Sequence, residues 1–168
     1  TFQQMERLNP AEGNSRRGDS GAMRIARLAR PHPLSEAFLA AGAAAGLASL
    51  DDYNGGDFAG VARAQLTHDR GARFSTYDAY LKPAMKRRNL QVVSRASARR
   101  LLFRDGAVQG LEATAPGGQV TRYLARNIVL AAGAIGTPLL LMRSGVGPSN
   151  ALSALGITPV IDHPEVGE

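Results

Sequence analysis

Three consecutive small residues, Ala132, Gly133 and Ala134, are the strongest candidates for binding chemistry in this sequence. Small side chains let a protein backbone approach a nucleotide closely, and a glycine permits the turn that such an approach requires. The residues at 128–132 are apolar at every position, which predicts a parallel strand covered on both faces. A strand ending in a glycine turn is typical of a cofactor-phosphate crevice, although the same small residues could serve only to let strand and helix pack.

A helix is expected to follow this turn and to hold the crevice in place. Thr137 is predicted to cap the helix through its hydroxyl group, and Pro138 suits the first helical position because it has no amide hydrogen. Gly145 is predicted to end the helix in the left-handed conformation. Strand, turn and helix start are therefore expected to follow one another directly in the chain.

Two segments of the chain resemble a known family. The run 133–148, GAIGTPLLLMRSGVGP, is similar to the second signature of the glucose-methanol-choline (GMC) flavin oxidoreductases, with the small residues, Thr-Pro and Ser-Gly-Val-Gly in place. The run 73–81, RFSTYDAYL, is similar to the family's Arg-x-Ser-Thr-x-x-Ala-Tyr-Leu segment. The alternative is an ordinary strand-turn-helix unit of an α/β protein, since spacing alone is weak evidence for a family.

The resemblance implies an FAD-dependent enzyme of the choline-dehydrogenase-like type. In such enzymes a base takes the hydroxyl proton of a primary alcohol while a hydride passes from carbon to the flavin, which oxygen or another electron acceptor then reoxidises. The alcohol and the electron acceptor are therefore the implied partners. The resemblance places the backbone contact to adenine at Ala98, where family members usually have valine. Ala132, Gly133 and Ala134 are the stronger candidates for contact with FAD, because their small side chains let the backbone approach it closely.

The chain resembles the middle of such an enzyme, because two defining motifs of the family are not found in it. No Gly-x-Gly-x-x-Gly fingerprint occurs, since the run 145–150 lacks the third glycine. His32, His68 and His163 do not match the family's catalytic histidine motif, and we predict surface or capping roles for them. No catalytic residue is assigned. The 168 residues alone are expected to be inactive, to bind FAD weakly or not at all, and to self-associate through exposed apolar faces.

Composition argues against several other classes of function. The chain is 44% hydrophobic and 20% charged, as is typical of a globular protein, and it has no cysteine for disulfides or thiolate metal sites. No apolar window approaches the roughly 18 residues of a membrane-spanning helix. The acidic spacing at 51–56 does not suit calcium, and no Gly-x-Ser-x-Gly elbow supports a hydrolase. A cytoplasmic location is expected more than a secreted one, since no signal peptide is visible.

The net charge of +6 leaves one rival from another class. Scattered arginines are typical of a solvated surface, and no aromatic residues interleave with the basic clusters, so no nucleic-acid partner is expected. The rival is a basic α+β binding module that would use Arg87, Arg88, Arg99 and Arg100 against nucleic acid or another polyanion, with a salt-dependent affinity. A third possibility is a degenerate flavoprotein retained as a partner subunit.

Turn residues and apolar spacing predict the remaining elements. The predictions for the first half are a surface loop over 1–31, a helix from Pro33 with a stop at Gly46, a turn over 51–56, and a short helix opened by a Ser75–Asp78 capping box and limited by Pro83. The predictions for the second half are strands at 90–94, 98–103, 107–114 and 119–124, turns at 104–106 and 116–118, a helix at 150–155 capped by Ser149 and stopped by Gly156, and a strand at 157–161.

Together these elements predict a mixed α+β and α/β fold. The expected architecture is a partial, Rossmann-like FAD-binding domain with a β-meander, plus part of the antiparallel-sheet substrate domain of a GMC oxidoreductase. Residues 1–85 are expected to belong to the substrate domain, residues 86–147 to the FAD-binding domain, and residues 148–168 to lead back towards the substrate domain.

Overall fold

The computed structural model describes residues 2–9 and 16–168. The chain folds as two compact units, which comprise residues 1–92 and 93–168. Each unit contains both helices and strands, so the predicted mixed fold is confirmed. Within the described residues, no helix combines the length and the apolar character needed to cross a membrane.

A three-stranded sheet forms the centre of the first unit. Helix α1 (Phe2–Met5) leads directly into strand β1 (Glu6–Leu8), which pairs in parallel with β2 (Met23–Arg27). Strand β2 also pairs in antiparallel fashion with β5 (Gln65–Leu66). Leu8 is only 2% exposed, so it lies at the core of this unit.

The predicted surface loop over 1–31 is wrong for its described part, because this part contains α1, β1 and β2. Gly18 interrupts the apolar periodicity, yet its role is to let two stretches of backbone pack closely. Its carbonyl accepts a hydrogen bond from the Leu8 amide at 2.9 Å, and a side chain at Gly18 would lie 1.8 Å from the Gln3 carbonyl oxygen. Residues 10–15, which the same prediction included, lie outside the described residues.

Helix α2 (Pro33–Ala44) confirms the helix predicted from Pro33. His32 caps it, since its Nδ1 accepts a hydrogen bond from the Leu34 amide at 3.2 Å. Gly46 follows the helix with a φ of +89°, as predicted for its stop. The unit also contains β3 (Ser49–Leu50) paired in parallel with β4 (Val61–Ala62), a hairpin of β6 (His68–Asp69) and β7 (Ala72–Arg73), a π-turn (Tyr77–Leu81) and α3 (Lys82–Ala84).

The predicted interaction between Ser75 and Asp78 is confirmed. Asp78 Oδ2 accepts hydrogen bonds from the backbone amide and the hydroxyl group of Ser75, at 2.9 and 2.8 Å, and these bonds hold the pKa of Asp78 below its ordinary value. Pro83 does not end the helical stretch as predicted, since α3 passes through it. The preceding π-turn explains this, because it widens the backbone where the proline ring would otherwise meet a carbonyl four residues earlier.

An antiparallel meander opens the second unit. It consists of β8 (Ser97–Arg104), β9 (Ala107–Thr114) and β10 (Val120–Leu124) in the order β10-β9-β8, so three of the four predicted strands are confirmed. Asp105 and Gly106 connect β8 to β9 with φ values of +51° and +74°, as a two-residue type I′ turn requires.

The first of the four predicted strands, over 90–94, is wrong. This segment forms no strand and pairs with none of the strands in the described residues. Its apolar residues match the sequence pattern of a strand, but Arg95 turns the chain with a φ of +57° before a ladder can continue into β8.

The end of the second unit is a compact arrangement of two helices and a short parallel ladder. Helix α4 (Gly133–Arg143) packs on β8 and is followed by β11 (Val146–Gly147), α5 (Ser149–Ala154) and β12 (Ile161–Asp162), which pairs in parallel with β11. Gly145 has a φ of +86°, which confirms its predicted role at the end of the preceding helix.

Two predictions for this region need correction. Ser149 does not cap α5 through its side chain; instead its amide donates to Asp162 Oδ1 at 2.9 Å, and this bond is the main reason why the pKa of Asp162 is lowered. The strand predicted over 157–161 is reduced to β12, because the ladder with β11 pairs only Ile161 with Val146 and Asp162 with Gly147. The predicted stop at Gly156 is confirmed by its φ of +72°.

Candidate cofactor site

The predicted small-residue turn lies at the start of helix α4. The helix begins at Gly133, so the predicted cap at Thr137 is wrong in position and both Thr137 and Pro138 lie inside the helix. The φ of +83° at Gly133 explains the early start, because it turns the chain directly into the helix. The Thr137 hydroxyl oxygen reaches back one turn and accepts a hydrogen bond from the Ala132 amide at 3.1 Å.

The predicted buried strand over 128–132 is also wrong. No strand forms there, and the Val129 side chain is 89% exposed. The physical reason is that a parallel strand needs hydrogen-bonded neighbours, and none of the twelve strands formed by the described residues lies beside this segment. The apolar sequence is present, but the described chain supplies nothing to pair with it.

The start of α4 is open to a ligand. Ala132, Gly133 and Ala134 are exposed, and the first turn of the helix contains no acidic residue; the Ala132 amide is paired with the Thr137 hydroxyl. Nothing lies within 4 Å of the position that a Gly133 side chain would occupy. A helix start presents free amide hydrogens and a partial positive charge. An open glycine backbone beside such a start fits a polar, anionic dinucleotide such as FAD.

Ala98, the predicted adenine contact, lies on the edge strand β8. It is exposed and pairs with Ala113, which is buried, and a register shift separates Ala98 from Arg100. Because α4 packs on β8, the structure places Ala98 and the small-residue turn on two elements in direct contact.

The contact between α4 and β8 depends on a residue that sequence reasoning assigned no role. The Ser144 hydroxyl accepts a hydrogen bond from the Leu101 amide at 2.8 Å and donates one to the Leu140 carbonyl at 2.5 Å. The only signal in the sequence was its position in the Ser-Gly-Val-Gly run, just before the glycine that ends the helix.

The three histidines occupy separate structural positions. His32 caps α2, which confirms a capping role for it. His68 Nε2 lies 3.4 Å from the Arg27 carbonyl oxygen, and the backbone amide of His163 donates to the Gly147 carbonyl at 3.0 Å. Among residues 2–9 and 16–168, no three histidine or carboxylate side chains are grouped as a metal site requires.

A buried charge cluster around Arg17 in the first unit was missed by sequence reasoning. The Arg17 side chain is 5% exposed and donates to both carboxylate oxygens of Glu6, at 2.9 and 2.8 Å, to Asp52 at 2.6 Å and to Gln65 at 2.7 Å. The hydrogen bond from Arg17 is the main cause that lowers the pKa of Glu6, and the same bond raises the pKa of Arg17. We expect this cluster to organise the fold rather than to perform chemistry.

One arginine of the proposed polyanion surface is already paired. Arg100 Nε lies 3.3 Å from Glu112 Oε1, and Arg122 Nε lies 3.5 Å from Glu112 Oε2. Arg100 is the principal cause of the lowered pKa of Glu112. The charge of Arg100 is therefore partly compensated, which weakens the case for a surface built on it.

Comparison with known proteins decides the family. The sequence profile of GMC oxidoreductases matches residues 1–168. The chain belongs to the GMC oxidoreductase family. It is 38% identical, over 168 residues, to an oxygen-dependent choline dehydrogenase of Sinorhizobium fredii; the match covers 99% of this chain and 30% of that relative. The family predicted from 73–81 and 133–148 is therefore confirmed, and it is a family of flavoprotein oxidoreductases.

Solved structures of GMC oxidoreductases share the fold. Pyridoxine 4-oxidase from Mesorbium loti matches with a TM-score of 0.87 at 38% identity, over 97% of this chain and 32% of that protein. An FAD-dependent oxidoreductase from Chaetomium thermophilum matches with a TM-score of 0.85 at 26% identity, over 97% of this chain and 31% of that protein. The chain thus spans about a third of the length of the relatives it matches.

Proposed function

We propose that this chain forms one wall of the FAD site in an FAD-dependent alcohol oxidoreductase of the choline-dehydrogenase-like type. The observation that carries the proposal is Gly133, which begins α4 with a φ of +83° and has open space where a side chain would lie. An exposed glycine backbone at a helix start suits the close approach of a dinucleotide. The relatives named choline dehydrogenase and pyridoxine 4-oxidase support an oxidoreductase of this type.

The proposed contacts are made through backbone rather than through charged side chains. Ala132, Gly133 and Ala134 would border the cofactor at the start of α4, and Ala98 would border the adenine from β8. All four residues are small and exposed. In this proposal residues 86–147 belong to the FAD-binding domain, and residues 1–85 and 148–168 belong to the substrate domain or lead to it.

The contribution of this chain is to bind and orient, not to move protons. The chemistry that FAD supplies when bound is acceptance of a hydride from the carbon of a primary alcohol, with oxygen or another acceptor receiving the electrons. The alcohol hydroxyl needs a base, and we assign that role to none of the three histidines. We therefore propose that the 168 residues alone are inactive and bind FAD weakly or not at all, and that exposed Leu124, Val129 and Ile135 favour self-association.

An exchange of segments tests the proposal. The 168 residues would replace the matched segment of the Sinorhizobium fredii choline dehydrogenase, and the purified chimaera would be assayed for bound flavin and for choline-dependent oxygen uptake. We expect the chimaera to retain flavin. A folded chimaera without flavin would contradict the proposed cofactor wall.

A pair of glycines provides the matched control. Gly133 and Gly46 have nearly the same φ, +83° and +89°, and each has open space for 4 Å around the position that a side chain would occupy, but only Gly133 lies at the proposed site. Alanine at either position should strain the backbone by about 1 kcal/mol. Only Gly133→Ala should reduce the flavin content of the chimaera. Equal flavin loss in Gly46→Ala would mean that backbone strain, and not contact with FAD, explains the result.

A further inference from the structure

Ser144 joins the two elements that carry the proposed FAD contacts. β8 is the edge strand of its sheet, and the Leu101 amide donates to Ser144 Oγ at 2.8 Å. The Ser144 hydroxyl then donates to the Leu140 carbonyl, in the last turn of α4, at 2.5 Å. We call these two hydrogen bonds the Ser144 relay. Leu101, Leu140 and Ser144 are 7%, 7% and 8% exposed, so water has little access to the relay.

The hydroxyl satisfies two backbone groups that would otherwise be unpaired. The Leu101 amide faces Ser144 and is unavailable to β9. In a continuing helix the Leu140 carbonyl would accept a hydrogen bond from the Ser144 amide, four residues later. The Ser144 amide instead donates to the Leu141 carbonyl at 2.9 Å. Buried backbone groups are almost always paired, so a single side chain fixes the end of the helix to the edge of the sheet.

A small movement at this attachment is amplified along α4 towards the proposed cofactor contacts. Gly133 lies eleven residues before Ser144 along α4, which corresponds to about 16 Å of helix. Ala98 lies three residues before Leu101 along β8, which corresponds to about 10 Å of strand. A tilt of α4 by about 4° around Ser144 would therefore move the proposed turn by about 1 Å, a displacement large enough to matter in an active site.

We infer that Ser144 is a positioning residue, which sets the distance between Ala98 and the small-residue turn at Ala132–Ala134. Its importance for FAD depends on the proposed function, whereas the distance that it sets can be measured without FAD. Ser144 contacts neither of these segments directly, so it acts through α4 and β8.

The chain offers a direct measurement because it contains no cysteine that would compete for a thiol-reactive label. Ser97→Cys together with Ile135→Cys, both at exposed positions, place one spin label on β8 and one near the start of α4. Double electron–electron resonance on the 168-residue chain, diluted with an excess of unlabelled chain so that self-association adds no distances between molecules, then gives the distance distribution between the two labels. It would be recorded with Ser144 and with Ser144→Ala.

We expect Ser144→Ala to shift or broaden the distribution by about 1 Å or more. The control is Leu152→Ala, which removes a side chain that is 1% exposed in α5 and should lower stability without changing the distance. If Ser144→Ala does not fold, Ser144→Thr and Ser144→Val replace it, because only threonine retains a hydroxyl. A distribution that is unchanged in Ser144→Ala, or identical in the Thr and Val variants, would overturn the inference.

The chimaera separates this inference from the proposed function. In the chimaera, Ser144→Ala should weaken the retention of FAD by about tenfold. Leu152→Ala, compared under conditions where the two variants are equally stable, should not weaken it. A chimaera that binds no flavin at all contradicts the proposed function and leaves the distance measurement to decide the role of Ser144. Equal flavin loss in the two variants contradicts the positioning role.

Discussion

The two units of the chain bury polar groups of different kinds. In the first unit, Arg17 holds the carboxylates of Glu6 and Asp52 where side-chain exposure is 5%, 12% and 6%. In the second unit, a neutral hydroxyl, that of Ser144, pairs two backbone groups between a helix and an edge strand. A full charge left without its partner costs far more than an unpaired amide. The first unit should therefore depend on charge and pH, and the second on hydrogen-bond geometry.

The largest expected effect comes from removing the cation of the first unit. Arg17→Leu leaves Glu6 and Asp52 buried without their common partner, so we expect it to destabilise that unit by about 3–5 kcal/mol. Urea unfolding, followed by hydrogen exchange in peptides from each unit, measures the change separately for 1–92 and 93–168.

The matched control for Arg17→Leu is Arg63→Leu. Arg63 also pairs with a carboxylate, Glu36 at 2.7 Å, but both side chains are well exposed. We expect this variant to cost about 0–1 kcal/mol. If both variants lowered the free energy of unfolding by the same amount, burial would not explain the contribution of the Arg17 cluster to stability.

The second effect tests the relay in the other unit. Ser144→Ala leaves the Leu101 amide and the Leu140 carbonyl without a partner, which should cost about 1–3 kcal/mol. Exposed Ser153, on α5, provides a control in which the same substitution should change stability by less than about 0.5 kcal/mol. Hydrogen exchange should show the loss of protection at Leu101 in Ser144→Ala alone. Retained protection at Leu101 would contradict the relay.

The third effect is a dependence on pH that should distinguish the units. The folded state lowers the pKa of Glu6, so in acid the unfolded chain binds a proton more readily than the folded chain. The stability from this group is complete above the unfolded pKa and is lost as pH falls through the folded pKa. Glu6→Gln should be less stable than the unaltered chain at neutral pH. Its stability should also fall less than that of the unaltered chain between about pH 7 and 3.

Urea midpoints of the first unit across that range measure the slope. Ser144→Ala should leave this slope unchanged, because a hydroxyl does not titrate there. Parallel slopes for Glu6→Gln and the unaltered chain would show that Glu6 does not carry the acid sensitivity.

The two regions also differ in how much of them could be predicted from sequence. The meander was predictable because its turns and strands are local: Asp105 and Gly106 select the hairpin, and apolar spacing gives the strands. The Arg17 cluster was not, because Arg17 is 11 residues from Glu6 and 35 from Asp52, and a single sequence gives no sign of such pairs. Glycines that pack against other backbone, such as Gly18, were mistaken for loop residues for the same reason.

The candidate site was predicted in part. Local turn chemistry indicated the glycine turn before α4, since a glycine between an apolar run and a helix has few other uses. The helix start was misplaced because Thr137 and Pro138 are typical of helix starts, whereas the positive φ of Gly133 begins the helix one turn earlier. The prediction of a strand over 128–132 was wrong because strands depend on neighbouring strands, and this segment has none among the described residues.

The smallest expected effect tests whether the charges of the second unit matter at all. Glu112, on the central strand, is shared by Arg100 and Arg122, whose side chains are 54% and 68% exposed. Arg122→Ala leaves Arg100, the larger cause of the lowered pKa of Glu112, in place, so the urea midpoint should not change measurably. Carbon-13 NMR of the Glu112 carboxyl should show a pKa that rises less in Arg122→Ala than in Arg100→Ala. A clear loss of stability in Arg122→Ala would show that the second unit, like the first, relies on its ion pairs, and the contrast between the units would no longer hold.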